Sequence, residues 1–146
     1  MITIAAYFMG RDLTHADELT EEIIANAKVT VERTNDLLSR ANRSDVNEVR
    51  SGWRPQGIND VTRNAAAGSR HLSGQAVDLA DVDRTLSGWV FDNLDDLREL
   101  GLWAEDPRWC PTWLHLQTVP PKSGKIVFIP SSAPMKDPDF PVTWLV

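Results

Sequence analysis

Apolar residues recur at helical spacing in two stretches of the chain. Thr20 resembles a helix N-cap, and after its two following glutamates the apolar side chains predict a helix over about Glu21–Ala41. A second apolar stripe predicts a helix over about Arg84–Leu100, with Gly101 just beyond its end as the C-cap. Each helix therefore has one face that can pack on a core.

Two other stretches alternate between apolar and polar positions, as strands do. In Ala76–Ala80 the alternation places Asp78 on the face opposite Val77 and Leu79. In Trp113–Thr118 it places His115 opposite two leucines. If the two strands are neighbours, Asp78 and His115 can lie on the same face of one sheet.

Shorter apolar runs predict two further strands. One covers Val46–Trp53 and is stopped by Pro55, which lacks the N–H that a strand ladder needs, and the other covers Ile126–Ile129. The small, polar residues 57–68 predict a loop with room for a helical turn.

The order of these elements predicts an α+β fold, because helices and strands mix without regular alternation. We expect a small antiparallel sheet packed with helices in a single domain over residues 1–130, since 146 residues suit one domain. Residues 131–146 are proline-rich and predict an extended C-terminal tail that packs on the domain or on a partner.

Composition narrows the class of protein. With 42% hydrophobic and 25% charged residues the chain is typical of globular proteins, and its net charge of −6 argues against nucleic acid as a partner. The acidic balance also gives no reason to expect binding to anionic membranes. The single Cys110 excludes an internal disulfide and a cysteine-cluster metal site, and we interpret it as incidental.

The N-terminal residues do not resemble a targeting segment. About six apolar residues occur there without a basic region before them. No apolar run approaches the ~18 residues that would cross a bilayer. We therefore expect a protein made in the cytoplasm, without stable membrane association, and favour a monomer.

His71, Asp78 and His115 form the main chemical candidate. Two histidines and one carboxylate can bind zinc and leave a fourth tetrahedral position, which is typical of a catalytic site. The same ligand set also suits several other transition metals. A turn at Gly74 would carry His71 back over the sheet. Taken singly, a histidine is more often a surface or satisfied core residue, and His15 keeps that interpretation.

Three segments resemble one known family. Ser69–Asp78 matches the pattern S-x-H-x-x-G-x-A-x-D, Ser51–Pro55 is similar to S-G-[YW]-R-[PS], and Trp113–His115 is similar to W-[VI]-H. These are motifs of the zinc D-Ala-D-Ala carboxypeptidase family, which has the Hedgehog/DD-peptidase fold and includes dipeptidases and phage endolysins. The segments cover about Val49–Thr118 in the family's order, and the chain most resembles small phage and prophage members.

The resemblance implies a role for each matching residue. His71, Asp78 and His115 would bind one Zn²⁺ ion, which would activate water and polarise the scissile carbonyl. Arg54 would hold a substrate carboxylate or carbonyl oxygen, and Ser69 would support the metal site or the substrate through a hydrogen bond. The alternative for Arg54 is a surface ion pair of little energetic value.

The chain departs from the family at the general base. Many members carry an acidic residue three positions before the last histidine, where this chain has Thr112, which cannot accept a proton at neutral pH. We predict Glu105 as the substitute and interpret Asp106, which precedes Pro107, as a turn residue. A solvated acidic loop remains the competing interpretation for both.

Other residues near the motifs are weaker candidates. Asp81 and Asp83 are interpreted as helix-capping residues. Trp113, like other tryptophans beside the motifs, could line a substrate groove, although aromatic residues of small domains are more often core.

The expected function is a zinc peptidase that cuts a peptidoglycan stem peptide at a D-Ala-D-Ala or L-Ala-D-Glu type of bond. It would act on the cell wall after release, for example through a holin. The alternative is a zinc-stabilised peptidoglycan-binding or virion-structural module without activity, which Thr112 favours.

Overall fold

A computed structural model describes residues 1–63 and 65–130. The predicted tail at 131–146 lies outside the described residues. In the described residues, five shorter helices and five strands accompany one long helix, and the α+β class is confirmed. No helix in the described part of the chain is both long enough and apolar enough to span a bilayer.

The helices, numbered along the chain, are α1 (Ile4–Phe8), α2 (Arg11–Thr14), α3 (Glu21–Arg40), α4 (Gln56–Val61), α5 (Thr85–Asp92) and α6 (Leu94–Leu100). Two 3₁₀ turns cover Ala16–Glu18 and Pro107–Trp109. The predicted α3 is confirmed, and Thr20 Oγ1 accepts the N–H of Ile23 at its start.

The prediction of one helix over Arg84–Leu100 is wrong in its middle. Asn93 separates α5 from α6, and its side-chain amide donates to the Trp89 carbonyl at 2.7 Å. A short polar side chain that bonds the backbone in this way competes with helical hydrogen bonding. The end of the stripe is as predicted, because Gly101 caps α6 with a φ of +66°.

The strands are β1 (Val49–Ser51), β2 (Ala76–Ala80), β3 (Trp103–Glu105), β4 (Trp113–Gln117) and β5 (Val127–Phe128), and they form a sheet in the order β1-β2-β4-β3-β5. The predicted antiparallel sheet is corrected to a mixed one, because β3 and β5 pair in parallel. The end of β4 lies opposite the start of β3. The chain that follows β4 therefore enters β5 from this end of the sheet, and β5 runs in the same direction as β3.

Several predicted boundaries need correction. The strand over Val46–Trp53 shrinks to β1, whose register with β2 shifts between Val49 and Ser51. The strand over Ile126–Ile129 shrinks to β5, and α4 occupies the first part of the predicted loop at 57–68. Both N-terminal helices and β3 lack a periodic pattern long enough to predict them, since each has five residues or fewer.

The core lies between α3 and the apolar face of the sheet, with α1 and α6 packed against α3. Fully buried members come from most elements: Tyr7, Ala27, Leu37, Leu38, Val77, Leu79, Leu86, Val90, Leu97, Leu102, Ala104, Leu116 and Val127. Val77 and Leu79 lie there as predicted, so the other face of β2 remains for polar side chains.

The N-terminal helix α1 is fitted closely to the rest of the molecule. Tyr7 donates its hydroxyl to the Ala76 carbonyl at 2.9 Å, at the start of β2. A side chain at Gly52 would collide with the Tyr7 carbonyl, so only glycine allows α1 to lie this close to the segment after β1. The first helix thereby holds the backbone on which two of the sequence motifs lie.

Candidate metal centre

Asp78 and His115 lie directly opposite each other on β2 and β4. The two strands pair antiparallel, with Asp78 in register with His115. Side chains of an opposite pair project from the same face of the sheet. The Oδ1 atom of Asp78 lies 2.8 Å from Nδ1 of His115.

His71 reaches the same place from the turn before β2. Gly74 ends this turn with a φ of +75°, and a side chain at Gly74 would lie 2.9 Å from the Ile23 carbonyl oxygen of α3. The turn is also fixed to the segment after β1, because the N–H of Arg54 donates to the His71 carbonyl at 3.0 Å. Nε2 of His71 is thereby placed 3.3 Å from Oδ2 of Asp78.

The three side chains form a buried group that could hold a metal ion. One ligand atom from each residue lies within 4.8 Å of the others. His71 is 1% exposed and His115 is 8% exposed, so bulk water does not solvate their imidazoles freely. The structure therefore brings together the three residues that the sequence grouped.

The hydrogen bonds of His71 show that a cation suits this group. Its Nδ1 lies 2.7 Å from the Gly52 carbonyl oxygen, which only accepts, so Nδ1 carries the proton. Nε2 then presents a lone pair, is buried and has no hydrogen-bond partner, although the Asp78 carboxylate lies nearby. Two electron-rich atoms facing each other in a buried site are stabilised by a positive ion between them.

The donor set fits zinc. Two imidazole nitrogens and one carboxylate oxygen are common zinc ligands, and three protein ligands leave the fourth tetrahedral position open. A structural zinc site would instead close all four positions with protein atoms.

Burial and neighbouring charges act in opposite directions on the pKa of Asp78 and on the pKa of His115. Burial alone would raise the pKa of Asp78, but the two histidines hold that pKa far below its usual range. Burial would lower the pKa of His115, but the charges of Glu105 and Asp78 raise it to about 9. The pKa of His71 is lowered, because burial outweighs its attraction to Asp78.

Glu105 is the carboxylate nearest to the group apart from Asp78, among the described residues. It ends β3, beside β4, and its Oε2 lies 3.6 Å from Nδ1 of His115. Its side chain is 17% exposed, and burial raises its pKa. A partly buried carboxylate with a raised pKa is a candidate for proton transfer.

The other acidic candidates have structural partners. Asp106 is fully buried, accepts the N–H of Arg108 at 2.9 Å and forms an ion pair with its guanidinium. The Asp81 carboxylate accepts the N–H groups of Leu86 and Ser87 in α5, and Asp83 accepts from Thr85. These contacts agree with the turn and capping interpretations. Thr112 is exposed at the entrance to β4.

Arg54 lies beside the group, and the charges of Asp78 and Glu105 offset its burial in part. It is 7% exposed, and its Nε has no hydrogen-bond partner. Nη2 donates to Ser69 Oγ at 3.3 Å, and the same oxygen accepts the N–H of His71 at 3.2 Å. Ser69 therefore connects Arg54 to the turn that carries His71.

The remaining predicted residues lie farther from the chemistry. Trp113 is partly buried at the start of β4, on the same face as His115 by strand alternation. Cys110 is buried, which raises the pKa of its thiol. Nδ1 of His15 shares a hydrogen bond with Thr14 Oγ1 in the N-terminal segment, away from the group.

Three contributions to the site were not predicted. Gln117 contacts His115 through its side chain, and strand alternation could have indicated this, because it lies two residues farther along β4. Arg11 donates to the Trp53 carbonyl at 2.8 Å; burial is the main cause that lowers the pKa of Arg54, and the charge of Arg11 acts in the same direction, against the charges of Asp78 and Glu105. The Gly52 carbonyl is a backbone atom, which no residue pattern reveals.

Comparison with protein-family models, with curated proteins and with solved structures finds no match to this chain.

Proposed function

We propose that this chain is a zinc-dependent peptidase that hydrolyses an amide bond in peptidoglycan stem peptides. The observation that carries the proposal is the convergence of His71, Asp78 and His115, with the Glu105 carboxylate 3.6 Å from one imidazole. The three segments that resemble the zinc D-Ala-D-Ala carboxypeptidase family supply the substrate class.

The metal group and Glu105 would have different roles in the hydrolysis. A zinc ion held by His71, Asp78 and His115 would lower the pKa of water and polarise the scissile carbonyl. Glu105 takes the proton as the water oxygen bonds to the carbonyl carbon. It then delivers that proton to the amine nitrogen as the C–N bond breaks. Its Oε2 lies 3.6 Å from Nδ1 of His115, beside the proposed metal position.

Arg54 recognises the substrate. A buried guanidinium whose Nε has no hydrogen-bond partner among the described residues is suited to bind a carboxylate of the peptide. Bonds of the D-Ala-D-Ala and L-Ala-D-Glu types both offer such a group. We place Trp113 at the edge of the peptide groove, where its ring would cover the substrate.

The second candidate is a zinc-stabilised module that binds peptidoglycan without cutting it. Thr112 favours it, because this exposed residue stands where many relatives of the resembled family carry the general base. The position of Glu105 favours the peptidase instead, since it brings a carboxylate to the group from another strand.

The test is digestion of purified peptidoglycan. The zinc-loaded full chain is incubated with Gram-negative and with Gram-positive cell walls, and the products are identified by mass spectrometry. We expect a defined peptide fragment whose release stops when the metal is chelated. Intact muropeptides, with zinc shown to be bound, would leave the binding module as the function.

A matched pair of variants separates Glu105 from general effects of charge. Glu105→Gln should lower the rate of cleavage by about 10²–10⁴-fold, the usual contribution of general base catalysis, while zinc remains bound. Glu32→Gln, at an exposed position of α3, is the control and should cleave at the wild-type rate. Equal rates for both variants would remove Glu105 from the mechanism.

A further inference from the structure

We propose that Gln117 is a positioning residue that fixes the imidazole of His115 so that Nδ1 is the nitrogen offered to the metal. The proposal rests on the metal centre proposed above. It adds a residue outside the ligand set, and it assigns a ligand atom to His115.

The orientation of the Gln117 amide follows from its other partner. Its Nε2 donates to the Val119 carbonyl oxygen at 2.7 Å. A carbonyl oxygen only accepts, so the reversed amide would place two acceptors in contact. The amide oxygen of Gln117 must therefore be the atom that faces His115.

This orientation assigns the proton on His115. Oε1 of Gln117 lies 3.2 Å from Nε2 of His115 and can only accept. Nε2 therefore carries a hydrogen, whatever the state of the other nitrogen. Nδ1 is left toward the centre, 2.8 Å from Oδ1 of Asp78.

The two imidazoles are held through different nitrogens. In His71 the Gly52 carbonyl holds Nδ1, and Nε2 faces Asp78. In His115 the Gln117 amide holds Nε2, and Nδ1 faces Asp78. Each imidazole has one nitrogen tied to an uncharged acceptor, which leaves the other nitrogen available as a ligand.

Burial makes the Gln117 contact difficult to replace. Gln117 is 6% exposed and His115 is 8% exposed, so little water can reach Nε2 if the amide is removed. A buried N–H without a partner favours rotation of the ring or transfer of the proton to the other nitrogen. Either change would withdraw Nδ1 from the metal.

The experiment compares Gln117→Met, which keeps most of the volume of the side chain, with Gln56→Met at an exposed position as the control. Zinc affinity is measured by competition with a chelator, and the imidazole tautomers of the zinc-loaded proteins are determined by nitrogen NMR. We expect Gln117→Met to lower zinc affinity by about 10–100-fold, the usual effect of losing such a partner. The control should bind zinc as the wild type does.

The wild-type spectrum tests the proposal without any substitution. We expect the zinc-bound His115 to carry its proton on Nε2 and His71 to carry its proton on Nδ1. A proton on Nδ1 of His115, or unchanged zinc affinity in Gln117→Met, would overturn the proposal. Absence of zinc binding by the wild type would overturn the metal centre and this inference together. Zinc binding without cleavage would overturn the peptidase alone.

Discussion

Arg54 carries a permanent positive charge, yet the residue is only 7% exposed. Its Nε lacks a hydrogen-bond partner among the described residues, and the charges of Asp78 and Glu105 offset its burial only in part. Such an arrangement lowers stability, because a charge removed from water is compensated only in part. Residues that are costly to the fold in this way concentrate at functional sites.

Arg54→Met should therefore separate stability from function. We expect the zinc-loaded variant to be at least as stable as the wild type in thermal unfolding, because an apolar side chain replaces a buried charge that is compensated only in part. Its KM for a peptide with a free carboxylate should rise roughly 10–100-fold, the loss expected for a charged hydrogen bond of about 1.5–3 kcal/mol. A fall in stability together with unchanged KM would show that Arg54 is structural.

The raised pKa of His115 predicts how the stability of the metal-free protein depends on pH. Its pKa is about 9 in the fold and 6.5 as the ordinary value, so the folded state retains a proton that the unfolded state releases. This contribution to stability is complete below pH 6.5 and is lost as the pH rises through about 9.

Thermal unfolding with a chelator present checks this prediction. The Tm of the wild type minus that of His115→Gln should decrease as the pH is raised from 6.5 to 9. The subtraction removes groups that titrate equally in both proteins. A difference that stays constant or grows over this interval would contradict the prediction.

At the scale of elements, the site depends on α1, which contributes no side chain to the metal group. The helix lies against Gly52, and the Gly52 carbonyl holds Nδ1 of His71. Displacement of α1 would therefore reach the metal group through one backbone atom.

Gly52→Ala is expected to lower the free energy of unfolding by about 1–3 kcal/mol, the usual cost of an added methyl group without space. It should also weaken zinc binding. Gly88→Ala is the matched control, because Gly88 lies within α5 and an added Cβ there meets no other atom within 4 Å. This variant should raise the free energy of unfolding by about 0.5–1 kcal/mol. Denaturant unfolding and zinc titration measure both effects. Equal stabilities for the two variants would show that α1 can move without cost.

The elements also show what the sequence could predict. Helix α3 and strands β2 and β4 have clear periodicity and were predicted within one residue of their bounds. Asn93 interrupts an apolar stripe that continues across it, so the pattern alone predicts one helix. Strand β3 has three residues, too few for a period, yet it carries Glu105 to the site.

The same contrast holds within the site. The ligands could be grouped because Asp78 and His115 lie at matching positions of two alternating strands. The contacts that orient the imidazoles come from the Gly52 carbonyl and from the direction of the Gln117 amide. Both depend on tertiary geometry, which a pattern of residue types does not contain.

For the whole molecule, metal binding and folding should be coupled. The proposed ligands lie on a turn and on two strands that meet only in the folded chain, so a metal ion held by all three would bind only the native state. At a free concentration of a thousand times its Kd, a ligand of this kind stabilises a protein by about 4 kcal/mol. We expect the Tm to rise on zinc addition and to fall on chelation. In His71→Ala the shift should disappear, and a shift that persists there would indicate zinc at another place.

The pairing of Asp78 with His115 has a consequence for how errors in folding are detected. A displacement of β4 by a single residue would turn His115 to the core side and Leu114 to the metal side. Such a misregistered sheet could keep its backbone hydrogen bonds but would have lost a ligand. Zinc would then stabilise only chains in which β2 and β4 pair with Asp78 opposite His115. During folding, zinc would therefore favour the correct register over the shifted one.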